Sequence, residues 1–442
     1  ILAQLGLIIN GLWGISCVPL VDSENKTEAC GPLYSSACYT FGVIRTQRQQ
    51  MKGLFGGNGE RRKAIGLIIG AVVGVGIFGI PFAFMQSGFF VGMIYLVVIG
   101  FVAMTLAMMF SEVAIQTPGR HRMSGYVRKY FGKKWGAVAA LVMTGSTWGG
   151  LLAYVLVGGE FFHALVSPYI GGTLFVYQLF FMIFGFVVAL RGLSFVARTE
   201  SYLVPALLLV VTVIILRGIF DVDTINYTTL TGSNIFLPYG VVLFSIGGLN
   251  VIPEIKDLLK KDSDSMRRVV PIGYLIIIAM YAAFAAVVVG VTGLETTPES
   301  IIGLGEALGP WILVLGSIMG LLAVVTSFII MSVELQDMLE FDFGTSRLLA
   351  WFAAVSVPLV IFLMGARDFI EVISFTGAVF GGLMGIFVVA MYLKVRNKTC
   401  TSPAKCFAIP KWISIAILIL FVAGILIGVL DLSPAKINEW LT

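Results

Sequence analysis

Two short stretches of this chain carry glycine and proline inside long apolar runs. The first reads Gly74-Val-Gly76-Ile-Phe-Gly79-Ile-Pro81 and the second Ser245-Ile-Gly247-Gly248-Leu-Asn250-Val-Ile-Pro253. Both residue types disfavour a continuous helix. A helix opened at such a point leaves N–H groups free at the start of one half and carbonyls free at the end of the other. In apolar surroundings those groups must find partners in protein, water or ligand. The chemistry on offer is recognition by the backbone rather than by charged side chains. A second constellation is Ala323, Thr326 and Ser327, which fall at i, i+3 and i+4 and place one carbonyl and two hydroxyls on a single helix face. An all-oxygen set of that kind suits a hard monovalent cation, although such hydroxyls also bond back to their own helix. The third candidate is Glu112, a carboxyl group inside an apolar run, where it serves as a proton carrier or as a brace to the sixth helix. Glu160 and Glu200 fall near helix ends, where hydration is expected.

The groups that enzymes use do not converge. His121 and His163 lie in loops or at helix ends, Cys30, Cys38, Cys400 and Cys406 form no metal pattern, and no paired carboxylates are evident at one depth. Enzymatic chemistry is therefore not expected.

The elements that must position these groups are set by composition. Of 442 residues, 58% are hydrophobic and 12% charged, with a mean hydropathy of +0.98. A soluble domain carries roughly twice that charge, so the expected class is an all-α polytopic membrane protein in a lipid bilayer. From Ile65 onward eleven apolar segments are long enough to span, at about 65–88, 89–116, 135–163, 172–190, 194–217, 236–259, 269–292, 311–338, 347–366, 369–393 and 410–430. The interruptions fall in the first and the sixth, as they would in two inverted five-helix repeats, residues 65–217 and 236–393, with helix 11 at 410–430. Paired breaks of this kind point to a transporter binding site.

Lys and Arg crowd the loops that follow even-numbered segments, including Arg120, Arg122, Arg128, Lys129, Lys133, Lys134, Arg191, Arg198, Lys256, Lys260, Lys261, Arg267, Arg268, Arg347, Lys394, Arg396, Lys398, Lys405 and Lys411. Odd loops hold only Arg217 and Arg367, beside several acids. The stretch 51–64, with Lys52, Arg61, Arg62 and Lys63, is accordingly expected in the cytoplasm, in a plasma or inner membrane. The net charge of +5 is thus a label of topology, and no nucleic-acid partner is expected. Residues 1–50 stand apart, as an extra anchor or an artefact of the reading frame.

Through Gly70-Ala-Val-Val-Gly-Val-Gly-Ile-Phe-Gly-Ile-Pro81 and Phe244-Ser-Ile-Gly-Gly-Leu-Asn-Val-Ile-Pro-Glu254, supported by Ser111-Glu112, Pro118-Gly119 and Tyr126, the chain resembles the amino acid-polyamine-organocation superfamily. The nearest likeness is to its amino acid/auxin permease branch, and it covers about residues 60–430. That resemblance implies the leucine-transporter fold and a symporter importing an amino acid by alternating access. It implies that N–H groups around Val75 and Gly76 receive the substrate carboxylate, and that carbonyls of Val72, Phe244, Ser245 and Gly247 receive the ammonium. Phe244 looks like an aromatic gate, while Tyr154 and Trp148 are candidates to close the pocket from the third helix. No Asp, Glu, Lys or Arg lies between Ile65 and Phe110 or between Ile235 and Ile252, so the expected substrate is a neutral amino acid. Gly247 and Gly248 are read as leaving room for a large or aromatic one.

The same resemblance implies a Na+ site formed by Gly70, Val73, Ala323, Thr326 and Ser327. The fifth helix lacks the lysine that replaces this ion in some proton-coupled relatives. Na+ or H+ is the expected coupling ion and no cofactor is expected. The alternatives are a non-transporting amino acid sensor on the same fold and a transition-metal transporter. The metal reading asks for Asp or Asn in the first break and Met or His in the sixth, and only Asn250 is present.

Overall fold

The computed structural model describes residues 59–119, 121–190, 196–228, 234–259, 263–399 and 409–431. Residues 1–50 lie outside the described residues, as do Lys52, Arg120, Arg191, Lys260, Lys261, Cys400, Lys405, Cys406 and the side chains of Arg198, Glu200 and Lys398. Among the described residues the fold is helical with no strand. Long apolar runs leave the backbone no water to bond with, and a helix satisfies its N–H and C=O groups internally.

The first span is α1 (Gly59–Val72) and α2 (Gly76–Ser87), bent by 59° at the residues between them. Gly88, at φ +92°, turns the chain into α3 (Phe89–Gln116). The short α4 (Met123–Phe131) leads into the 38-residue α5 (Lys133–Ile170), followed by α6 (Leu174–Ala189) and α7 (Val196–Gly218). The sixth span is again broken. It consists of α8 (Leu237–Ser245), an irregular stretch ending in one 3-10 turn, and α9 (Ile252–Leu258). Then come α10 (Ser263–Thr292), α11 (Ile301–Leu308), α12 (Pro310–Phe343) and α13 (Arg347–Leu363). The tenth span runs α14 (Phe369–Phe375), a π-helical turn at Thr376–Gly381, and α15 (Gly382–Thr399); α16 (Lys411–Asp431) closes the series.

Among the described residues, eight helices are long and apolar enough to cross a membrane, and the bent α1–α2 pair makes a ninth. The fourth and ninth expected segments are helices of 16 and 17 residues, α6 and α13. At 1.5 Å per residue both fall short of a hydrocarbon layer about 30 Å thick.

Packing sorts the spans into two groups. The third, fourth, eighth and ninth (α5, α6, α12, α13) pack on one another, while α10 packs on α1, α2 and α3, and α8 packs on α2 and α3. The π-helical turn of the tenth span meets α8 backbone to backbone. A methyl added at Gly240 or Gly377 would overlap the carbonyl of Ser374 or of Gly240 respectively, so glycine is what permits that approach.

Lys256 differs from its sequence reading as a loop charge. It is 2% exposed, and its Nζ donates to the carbonyls of Thr117 (3.0 Å) and Gly119 (3.2 Å). Those carbonyls lie just past the end of α3 and need donors, so the lysine ties α9, the second half of the sixth span, to the second span.

Candidate functional site

At the first break Val73 N–H still donates to Ile69 O (2.8 Å), and α2 opens with Ile77 N–H to Gly74 O (3.4 Å) and Phe78 N–H to Val75 O (3.2 Å). Between these, the N–H groups of Gly74, Val75 and Gly76 have no backbone acceptor among the described residues. Across from them, α8 ends with Ile246 N–H on Val242 O (2.9 Å) and Gly247 N–H on Phe244 O (3.1 Å).

The two breaks touch. Ser245 Oγ lies 2.9 Å from Gly76 O and 2.6 Å from Val241 O, its single proton serving both acceptors. A methyl on Gly76 would fall 2.6 Å from Ser245 Cα. Gly76 is thus a site of close approach between the spans. Gly248 is packed as well. A side chain there would overlap Val72, so the room expected beside it is filled.

Sequence reasoning missed Tyr281. On α10 and wholly buried, it directs its hydroxyl at the carbonyls of both Val72 (3.2 Å) and Ser245 (3.0 Å), the terminal carbonyls of α1 and α8. The available signal was a tyrosine in mid-span among alanines, since a buried tyrosine hydroxyl ordinarily has a partner.

Gly70, Val73, Ala323, Thr326 and Ser327 line one cavity of about 20 Å³, together with Gly74, Val75, Phe78, Tyr154 and the apolar side chains Leu203, Val204 and Leu207 of α7. That volume holds about one water-sized body. Thr326 Oγ1 donates to its own helix at Leu322 O (3.1 Å) and Ala323 O (3.0 Å). A hydroxyl that donates inward keeps its lone pairs for a cation. Tyr154 also stands over the break, its hydroxyl 3.2 Å from where a Gly74 methyl would lie. Phe244 is half-buried at the end of α8 and does not line this cavity. Trp148 is engaged elsewhere, its Nε1 donating to Ala353 O on α13 (3.2 Å).

Glu112 is 1% exposed and accepts from Gln116 Nε2 one turn along its own helix (2.9 Å). Glu160 departs from the hydrated surroundings expected of it. Its Oε2 is buried, and its carboxyl group is within hydrogen-bonding reach of Glu299 in the segment before α11. This is a carboxyl pair that the sequence hid, because Glu299 sits in a polar Thr-Thr-Pro-Glu-Ser run that reads as ordinary surface. Among the described residues, no group of three or more His, Cys, Asp or Glu side chains is placed to hold a metal ion.

Compared with known proteins, residues 62–430 match the profile of the tryptophan/tyrosine permease family. No curated protein matches the chain. The family match overturns the likeness to the amino acid-polyamine-organocation superfamily and its amino acid/auxin permease branch. Short Gly and Pro motifs report the backbone geometry of a broken helix, which does not specify the family built around it.

Proposed function

The chain belongs to the tryptophan/tyrosine permease family, and from that premise we propose that it imports an aromatic amino acid by alternating access. It is a multi-pass membrane transporter and not an enzyme. The observation that supports the proposed site is the joined pair of breaks: N–H groups at Gly74, Val75 and Gly76 with no backbone acceptor among the described residues, and terminal carbonyls of Val72 and Ser245 that already hold a donor, Tyr281.

In this reading the N–H groups take the substrate carboxylate, as helix N-termini take anions. The ammonium displaces the Tyr281 hydroxyl from Val72 and Ser245, with the carbonyls of Phe244 and Gly247 beside it. Phe244 and Tyr154 supply aromatic surface for the substrate ring. No charged residue lies between Ile65 and Phe110 or between Ile235 and Ile252, which fits a side chain that is large but uncharged.

Import is driven by an inward gradient of Na+ or H+. The cavity between α1 and α12, with Gly70, Val73, Ala323, Thr326 and Ser327, is the Na+ site of this proposal, since hydroxyls and carbonyls make the oxygen shell such an ion takes. The first and sixth spans rock against the group of the third, fourth, eighth and ninth. The basic side of the molecule, from Arg61 and Arg62 through Lys129, Arg268, Arg347 and Lys394, faces the cytoplasm.

The test is uptake of radiolabelled tryptophan, tyrosine and phenylalanine into proteoliposomes, under a Na+ gradient alone and a pH gradient alone. Accumulation of at least one of them under one gradient is expected. Lack of uptake of all three, by protein that is monodisperse in detergent, would defeat the proposal.

A further inference from the structure

The segment Thr296–Ser300 is folded into the protein rather than laid over it. Ser300 is wholly buried, and its Oγ donates to the carbonyl of Phe78 on α2 at 2.5 Å. Among the described residues it is the one non-glycine residue with a positive φ, +62°. Its neighbour Glu299 is 3% exposed and meets Glu160 of α5. One residue further along α5, the ring of Phe161 packs edge-on against Phe78 with centroids 5.2 Å apart. Three elements thus converge on one point. The segment reaches α2 through Ser300 and α5 through Glu299, and α2 reaches α5 through the two phenyl rings. Phe78 also lines the cavity between the first and eighth spans.

At the Glu160–Glu299 contact, one buried oxygen on each side chain, Oε2 of Glu160 and Oε1 of Glu299, has no donor. Two ionised carboxylates so placed repel, and their lone pairs stay unfilled. Among the described residues, no cation is placed against them. The further charge acting on Glu160 is the carboxylate of Asp368, which is itself held by the Glu371 N–H at 2.8 Å. Arg367, next to Asp368, has its guanidinium over the Phe175 and Phe362 rings, 4.6 and 5.3 Å from their centroids. Glu299 otherwise accepts from Thr297, from its own backbone N–H and from the N–H of Ile302 in the first turn of α11.

We infer that Glu160 and Glu299 form a proton-binding site that holds one shared proton, and that this proton latches the Thr296–Ser300 segment onto α2 and α5. The atoms balance simply: one carboxyl O–H donates to the other carboxylate, and release gives one proton to solvent and two like charges in contact. Burial holds the Glu299 carboxyl above the usual carboxylate range, against the hydrogen bonds that lower it. The closed latch is thus fully present below the ordinary carboxylate pKa and is lost as pH rises through the elevated one. Opening α2 requires Ser300 to leave Phe78, so loss of the proton favours release of the outer half of the first span. This role rests on the transporter reading; the proton site itself does not.

The experiment is infrared difference spectroscopy on the purified full chain across pH, with the Glu160→Gln, Glu299→Gln and doubly substituted variants, alongside tyrosine and tryptophan uptake at each pH. The wild type should show the carbonyl stretch of a protonated acid persisting above the normal carboxylate range. Each single variant should lose that band, because the remaining carboxylate accepts from the new amide. The double variant keeps a neutral pair and serves as the folding control, and all three variants should lose the pH response of uptake. A band absent from the wild type, or unchanged in either single variant, overturns the site. A band that behaves as expected beside an unaltered pH response overturns the latch. If the band behaves and no aromatic amino acid is taken up, the transporter reading fails and the proton site stands.

Discussion

The hydroxyl of Ser245 lies 2.9 Å from the carbonyl oxygen of Gly76, joining the two interrupted spans at their breaks. Everything proposed for substrate recognition depends on these breaks being in register, and Gly76 admits the contact because it has no side chain. Gly76→Ala places a methyl 2.6 Å from Ser245 Cα. We expect a loss of about 1–3 kcal/mol of stability, as for other overpacked sites, with uptake abolished. Thermal unfolding in detergent and proteoliposome uptake measure the two effects separately.

Tyr281→Phe removes the donor shared by Val72 O and Ser245 O. Stranding buried acceptors costs about 1–3 kcal/mol, so the ligand-free variant should melt lower than wild type. A substrate whose ammonium restores the missing donors should recover that loss, so the melting shift on adding tyrosine or tryptophan should exceed the wild-type shift. An equal or smaller shift would separate Tyr281 from the substrate site.

Replacing Thr326 and Ser327 together by Ala removes both hydroxyls from the cavity that Gly70 and Val73 line. Uptake and thermal stability should then no longer respond to Na+, while the pH response is kept. A Na+ response of wild-type size in the double variant would move the ion elsewhere.

Ser300 separates two effects at one position. Ser300→Ala keeps a side chain at φ +62° and loses the bond to Phe78 O. Ser300→Gly loses the same bond but is at ease with that backbone, where a non-glycine residue costs about 1–3 kcal/mol. The glycine variant should therefore be the more stable of the two, and calorimetry of the purified pair decides it.

Lys256→Met keeps the length of the side chain and removes the donor to Thr117 O and Gly119 O. With two carbonyls stranded past the end of α3, we expect a melting temperature lower by several degrees. Uptake should fall as well, because α9 loses its tie to the second span.

Most of the architecture was legible in the sequence for one reason. In lipid the backbone permits few structures, so apolar length and Gly/Pro interruptions carry nearly all the information. The breaks at Gly74–Gly76 and Ser245–Gly248 were readable because both residue types act locally on the helix that holds them. Gly70, Val73, Ala323, Thr326 and Ser327 could be grouped because helical spacing and a family likeness supplied the pairing of two spans. The likeness itself named the wrong family, as its motifs encode a bend and little else. Tyr281 and the Glu160–Glu299 pair were not legible, since their roles depend on residues 209 and 139 positions away meeting in space. Gly248 was misread for the same reason: space beside a glycine is decided by its neighbour, here Val72.

In the proposed site Tyr281 turns recognition into an exchange. Its hydroxyl and a substrate ammonium want the same two carbonyls, so a ligand gains only the difference between what it offers them and what the tyrosine already gives. Phenol and indole compounds that match the ring but carry no amine cannot make the trade, however well they fill the apolar space. The proposed site in this way measures every ligand against an internal standard, and an aromatic ring alone does not meet it.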